Sequence, residues 1–242
     1  QNHDLSTALG SEEVTLSGLT SAYTPFATAG NRAEPRSIIR VFDRNSKTWF
    51  TNSPQISQTM TTGTSYIMTD MMKEVLTQGT AKGLRKFSQK YPSAGKTGTT
   101  NNYHDAWFIG YTPRLVTGIW VGYDKPRSGG KGFTGGAVAA PIWEQFMLSA
   151  LAGQPASDFR RPDTVISVSI DPHNSLLATE LCPDKRDELF AIGTEPDDYC
   201  PEHQPSVQDE VLEMLEEQLL PELLPVVVPA ETDDKSGEDA PQ

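Results

Sequence analysis

Tyr91-Pro92-Ser93-Ala94-Gly95-Lys96-Thr97-Gly98-Thr99-Thr100 places a lysine, two hydroxyls and a glycine in one short run, Lys96 to Thr99. In extended backbone, side chains alternate between faces, so Lys96 and Gly98 point one way and Thr97 and Thr99 the other. Two hydroxyls on a cleft wall can donate to a carboxylate. Gly98 has no side chain and lets a ligand approach the backbone closely. A free backbone N–H there can stabilise an oxyanion during acyl transfer. Lys96 adds positive potential for an anionic substrate. Taken alone, the tripeptide also fits a plain loop leading into a strand. A phosphate-binding loop is excluded, because it needs glycine five residues before Gly95, where Lys90 stands.

The flanking sequence decides between these readings. Asp105-Ala106-Trp107-Phe108-Ile109-Gly110-Tyr111-Thr112-Pro113 and Leu115-Val116-Thr117-Gly118-Ile119-Trp120-Val121-Gly122-Tyr123-Asp124 read as two strands joined by a Pro-containing turn. With the Lys96 segment and the linker Asn101-Asn102-Tyr103-His104 they predict a three-strand antiparallel meander. Phe133-Thr134-Gly135-Gly136-Ala137-Val138-Ala139-Ala140-Pro141-Ile142-Trp143 leads into a helix, and Leu9-Gly10-Ser11-Glu12-Glu13-Val14-Thr15 into another. In this order the segments resemble the transpeptidase region of the class A penicillin-binding proteins, over residues 4 to about 203. Lys-Thr-Gly is one of three motifs of that chemistry, with Ser-x-x-Lys and Ser-x-Asn. The resemblance implies an α+β penicillin-binding/serine β-lactamase-like fold, an antiparallel sheet packed with helices.

The other two motifs are missing. No Ser-x-Asn occurs in the chain, and the one Ser-x-x-Lys, Ser93 to Lys96, overlaps Lys-Thr-Gly. A catalytic Ser-x-x-Lys needs a helical turn to put both side chains on one face. Pro92 and Gly95 oppose that turn, so the match reads as coincidence. In the family both motifs precede the Leu9-Gly10-Ser11 segment. The expectation is therefore a partial transpeptidase domain that is inactive in isolation.

What the resemblance implies can be stated residue by residue. A serine outside these residues attacks a D-Ala–D-Ala carbonyl of a peptidoglycan stem peptide, and an amine of a second stem resolves the acyl-enzyme; β-lactams enter as mimics. Lys96 anchors electrostatically and assists proton transfer. Thr97 and Thr99 bind the terminal carboxylate, the Thr99 N–H completes the oxyanion hole, Gly98 leaves room, and Thr100 lies in the same substrate wall. No metal or organic cofactor is implied. The parent protein is expected to carry a glycosyltransferase domain and to sit on the periplasmic face of the inner membrane, through an N-terminal anchor outside this sequence.

The rest of the chain divides by punctuation into residues 1–160, the transpeptidase portion, 161–203, a small β-rich unit, and 204–242, an acidic tail. Thr15 caps a predicted helix to about Ala29 carrying Leu16, Leu19, Tyr23 and Phe26, with Pro25 as a kink or earlier end. Residues 36–50 read as a hairpin turning near Arg44-Asn45-Ser46. Ser65 to Gln78 is a helix with Ile67, Met68, Met71, Val75 and Leu76 as its apolar stripe, stopped by Gly79. Lys82, Arg85, Lys86 and Lys90 read as a solvated face, with attraction to an anionic polymer as the alternative. Pro141 to Leu151 is a helix with Ile142, Phe146 and Leu151 toward the sheet. Trp107 and Trp120 are assigned to the core of the sheet.

In the second unit Thr164 to Ile170 is a β run, Asp171-Pro172-His173-Asn174 a turn, and Glu188 to Ile192 a second run between Cys182 and Cys200. The resemblance, with its extracytoplasmic setting, implies a disulfide between Cys182 and Cys200. A metal site with His173 and His203 is the alternative.

The net charge is −12, and from His203 onward eleven acidic residues face Lys235 alone. That balance gives nucleic-acid binding no support. Val207, Val211, Leu212, Leu215 and Leu219 form a helical stripe in the tail, suited to docking on a protein partner. No run approaches the ~20 apolar residues of a membrane span. Two other functions stay open: a non-catalytic cell-wall interaction module, and a compact hydrolase using Ser93.

Overall fold

The structure, a computed structural model, describes Gly10 and residues 12–204. The expected tail helix and the beginning of the chain lie outside the described residues. Two compact units emerge: the described residues up to Val168 together with Asp187–Glu195, and Ser169–Arg186 together with the described residues from Pro196.

In the first unit the meander forms with strands β5 (Ala94–Thr99), β6 (Ala106–Tyr111) and β7 (Val116–Val121) in the order β5-β6-β7. The pairing runs from Ala94↔Tyr111 to Thr99↔Ala106, and from Ala106↔Val121 to Tyr111↔Val116. Antiparallel pairing puts cross-strand partners on the same face. Thr97 and Thr99 therefore share a face with Phe108 and Ala106, whereas Lys96 and Gly98 share theirs with Ile109 and Trp107. Short pairs complete the unit: β1 (Asn31–Ala33) with β4 (Ile56–Gln58), and β2 (Arg40–Phe42) with β3 (Thr48–Thr51), the expected hairpin. Its turn is held by Asp43, whose carboxylate accepts the N–H groups of Asn45 and Lys47 at 2.8 and 2.9 Å.

Helix α5 (Ala140–Ala150) packs through Trp143, Met147 and Leu151, all buried, into a core with Phe87, Phe108, Leu76 and Leu84. The predicted helix is present, but of its predicted face only Leu151 is buried. Ile142 and Phe146 are 46% and 49% exposed, because the true stripe is spaced by four from Ala139 through Trp143 and Met147 to Leu151.

Helix α3 (Thr62–Thr77) begins earlier than expected, capped by Thr61, whose hydroxyl accepts the Thr64 N–H at 3.1 Å. Its buried face is Ser65, Thr69, Met72 and Leu76, while Met68 and Met71 are exposed. Leu76 of the predicted stripe is buried as expected, and periodicity missed Ser65 and Thr69 because they are hydroxyls. Ser65 donates to Pro25 O at 2.9 Å, and Thr69 bonds both Phe26 O at 3.1 Å and the Tyr111 hydroxyl at 3.0 Å. Those carbonyls belong to α2 (Thr24–Ala27), which is separated from α1 (Leu16–Ala22) at Tyr23, two residues before Pro25. The Lys82, Arg85, Lys86 and Lys90 side chains are exposed on α4 (Arg85–Lys90) and the turn before it.

Burial raises the Tyr111 phenol above its ordinary value and keeps it neutral. Tyr111→Phe removes one buried hydrogen bond but leaves Thr69 bonded to Phe26 O. It should cost about 1 kcal/mol in urea unfolding; a loss of 3 kcal/mol would contradict that division of the bonds.

Strands β8 (Val165–Ile170) and β9 (Arg186–Ala191) pair with each other, and most of both belongs to the first unit. Cys182 and Cys200 are buried free thiols, not a disulfide. Each sulfur is turned to other groups: Cys182 accepts the Thr179 N–H at 3.3 Å, and Cys200 lies 3.2 Å from both Asp171 Oδ2 and His203 Nδ1. Asp171 and His203 stand beside them. Asp171, not His173, joins His203 and the cysteines.

Candidate active site

The catalytic and substrate-binding candidates Lys96, Thr97, Gly98, Thr99 and Thr100 lie on or next to β5, and no other strand flanks its far side among the described residues. An outer strand turns alternate N–H and C=O groups away from its neighbour, available to a ligand lying alongside. Lys96 is exposed, and its ammonium donates to Thr97 O at 2.9 Å, so the charge is held over the strand.

The opposite face is wired to two loops. Thr97 Oγ1 pairs with Thr80 Oγ1 at 2.7 Å. Thr99 Oγ1 accepts the Gly135 N–H at 3.1 Å. Because a hydroxyl accepts there, its own proton remains free to be donated outward. Gly135 opens a single π turn, Gly135–Ala139, capped by Thr134 and running into α5. Such turns recur at functional sites.

Gly135 and Gly136 sit where no side chain fits: a Cβ on Gly135 would lie 2.2 Å from Trp107 O and 2.7 Å from Gly98 O, and one on Gly136 2.1 Å from Thr80 O. Sequence reading took Thr134-Gly135-Gly136 for a helix entry only. The signal it missed is that paired glycines mark close backbone approach. Thr80, Gly135 and Gly136 are thus the site residues that sequence left out, and Thr80 carried no signal at all.

Gly98 faces Trp107 across the ladder; a Cβ there would come 3.1 Å from that side chain. Trp107 and Trp120 are not core residues. Trp120 is 38% exposed, Trp107 half-buried, and the rings tilt together at 6.2 Å on the face shared with Lys96 and Gly98. Trp120 Nε1–H donates to Asp105 Oδ1 at 2.9 Å, at the exposed end of the sheet face.

Thr100 is committed to the same aspartate: its hydroxyl donates to Asp105 Oδ2 at 3.0 Å and accepts the Asp105 N–H at 2.8 Å. It closes the loop that follows β5, where Asn102 and Tyr103 adopt positive φ of 61° and 57°. Ser93 is buried, with no hydrogen-bond partner for its hydroxyl, and stands just before a strand. Ser93 and Lys96 do not share a helical turn, so the Ser93 to Lys96 match has no catalytic geometry. A cleft of about 530 Å³ lies between α2, α3 and residues 158–163, and no Lys-Thr-Gly residue lines it. No described helix is long and apolar enough to cross a membrane.

Comparison with known proteins agrees with this geometry. The family model of the penicillin-binding protein transpeptidase domain matches residues 1–148, and that of the penicillin-binding protein 1A C-terminal domain matches residues 161–205. Penicillin-binding protein 1A of Aquifex aeolicus is 38% identical over 195 residues, covering 81% of this chain and 26% of the relative. That of Neisseria lactamica is 36% identical over 168 residues, covering 67% and 21%. The chain thus spans about a quarter of the length of these curated relatives. The crystal structure of penicillin-binding protein 1A from Haemophilus influenzae superposes with a TM-score of 0.72 at 25% identity, over 81% of this chain and 34% of that one. The chain belongs to the penicillin-binding protein transpeptidase family.

Proposed function

We propose that this chain supplies the Lys-Thr-Gly wall of a peptidoglycan D,D-transpeptidase site whose serine lies outside these 242 residues. The observation that carries the reading is β5 itself: an outer strand with Lys96 exposed and the Thr99 hydroxyl held by the Gly135 N–H so that its proton points to a ligand. The serine attacks a D-Ala–D-Ala carbonyl, the Thr99 N–H stabilises the oxyanion, and an amine of a second stem peptide releases the acyl group. Lys96 draws in the substrate carboxylate and Thr99 donates to it. Thr97 reaches it from its pairing with Thr80, while Thr100 holds the loop. β-Lactams acylate the same serine. On this reading the site works outside the inner membrane, in a parent protein anchored through an N-terminal segment.

A surface finding supports the same view. Ile38, Ile39, Phe42, Trp49 and Phe50, on and beside the β2–β3 hairpin, are each at least half exposed, and Met71 is 61% exposed. Exposed apolar side chains in this number fit a surface completed by further chain. The buried Ser93 gives no support to a compact hydrolase.

The test is intact-mass analysis with a labelled penicillin. The 242-residue chain should show no adduct, and the full-length protein containing it should show one, on a serine outside these residues. In that full-length protein Lys96→Ala should slow acylation by roughly 100-fold, of the order seen when a group stabilising the transition state is removed. An adduct on the isolated chain, or full acylation by the Lys96 variant, would overturn the reading.

A further inference from the structure

The second unit, taken by itself, has an unusual interior. Among its described residues the buried apolar ones are Ile170 and the two cysteines, and beside them the Asp171 side chain is fully buried. Such a small element lacks the core to hold itself together and needs a staple, a disulfide or a metal. The thiols are not joined. What stands at the centre is a set of four donors, Asp171, Cys182, Cys200 and His203, whose nearest ligand atoms all lie within 4.8 Å of one another.

The distances are close to those of a coordination shell. Cys200 Sγ lies 3.2 Å from Asp171 Oδ2 and 3.2 Å from His203 Nδ1, and that nitrogen lies 3.0 Å from Asp171 Oδ2. A tetrahedron with zinc–nitrogen and zinc–oxygen bonds of ~2.0 Å and zinc–sulfur bonds of ~2.3 Å has edges of roughly 3.3 to 3.8 Å. The triangle needs to open by only about 0.5 Å or less to admit the ion. Cys200-Pro201-Glu202-His203 adds a Cys-x-x-His chelate in a single turn.

The backbone builds the cage. Asp171 N donates to Leu176 O at 2.9 Å, Leu177 N to Asp198 O at 3.0 Å and Cys200 N to Leu177 O at 2.8 Å, so three separate segments are laced side by side. Thr179 ties in the fourth, because its hydroxyl donates to His203 O and its N–H to Cys182 Sγ.

The groups around these donors are those a metal site requires. Both sulfurs accept N–H bonds, from Thr179 and from Asn174, the arrangement that stabilises a thiolate. The oxygen of Asp171 not facing the cluster, Oδ1, accepts the His173 N–H at 2.9 Å and contacts His173 Nδ1 at 3.1 Å. It is thereby fixed with Oδ2 turned inward. A fully buried carboxylate is costly without a cation beside it.

We propose that Asp171, Cys182, Cys200 and His203 form a structural zinc site that staples this unit. Thiolate and imidazole donors select a borderline-soft ion such as zinc over magnesium or calcium. Four protein donors close the shell, leaving no position for substrate, so the role is structural. Binding takes the ion from water and releases two thiol protons to solvent, with no oxidant required. His173 is a positioning residue acting through Asp171.

The test uses the 242-residue chain, reduced and then supplied with zinc or cobalt(II). Elemental analysis after dialysis should find one zinc per chain. Cobalt should produce thiolate-to-metal charge-transfer bands and the visible bands of a tetrahedral ion. Both thiols should resist alkylation until a chelator is added, and two alkyl groups should then be counted by mass. Cys182→Ser, Cys200→Ser and His203→Ala should each reduce retained zinc to background, and His173→Ala should weaken affinity 10- to 100-fold. Should a ligand variant fail to fold, the wild-type cobalt spectrum and thiol protection decide the matter alone. Background zinc with no cobalt bands, or unchanged zinc retention in His203→Ala, would overturn the site.

Discussion

Alanine at Gly135 is expected to slow β-lactam acylation on the order of 100-fold in a full-length protein carrying this chain, and to cost about 3 kcal/mol of stability. The Cβ would enter at 2.2 Å from Trp107 O and 2.7 Å from Gly98 O. Both are backbone atoms of paired strands, so neither can swing aside as a side chain would. Either the π turn retreats or the β5–β6 ladder buckles. In both cases the Gly135 N–H leaves Thr99, and the hydroxyl that faces the ligand loses its orientation. Displacements of about 1 Å at a reacting centre carry penalties of that size. Gly83→Ala is the control: a Cβ there meets nothing within 4 Å, and stability should stay within about 0.5 kcal/mol. Second-order acylation rates and urea unfolding of the two variants check both halves of the claim. Wild-type acylation by Gly135→Ala would remove the π turn from the site.

The meander around Lys96 was legible because each of its strands is written in local chemistry: β-rich runs, a polar turn, a Pro-containing turn, and alternation that assigned Lys96 and Thr97 to opposite faces. The part of the site legible in sequence stopped at β5, because the partners of Thr97 and Thr99 come from Thr80 and Gly135, 17 and 36 residues away. No periodicity reports such contacts. Helix faces failed for two different reasons. On α3 the buried positions Ser65 and Thr69 are polar, and their burial depends on carbonyls of α2 that only the folded chain supplies. On α5 both candidate stripes are apolar, so Phe146 and Met147 compete on equal terms until Phe108 and Phe87 select the Trp143 side. In the second unit the cysteine pair suggested a disulfide, since Asp171 carries no spacing that marks it as a fourth donor. Its role emerges only when three backbone segments are laced together.

Trp143 is the side chain on which the first unit most depends, and Trp143→Ala should cost about 3–5 kcal/mol. Its ring is fully buried, set edge-on to Phe87 at 5.0 Å and to Phe108 at 5.2 Å. Gly110 has no side chain beneath it, and a Cβ there would lie 2.7 Å from the indole, so the ring fills space that no neighbour can reclaim by a rotamer change. The indole also donates its Nε1–H to Gly110 O at 3.1 Å, which links α5 to the centre of the sheet. Alanine removes the contacts, leaves a cavity and orphans a buried carbonyl. Domains of this kind have roughly 5–15 kcal/mol in total, so the variant should be largely unfolded at moderate urea, where the wild type is still native. Trp143→Phe separates the contributions: it keeps aromatic packing and loses the hydrogen bond, and should fall between the two in urea titrations followed by circular dichroism. The order wild type, Phe, Ala is the expected result. If Trp143→Ala unfolded within 1 kcal/mol of wild type, the junction of α5 with β6 would not be the core of the unit, and the α5 register that places Gly135 against Thr99 would lose its physical basis.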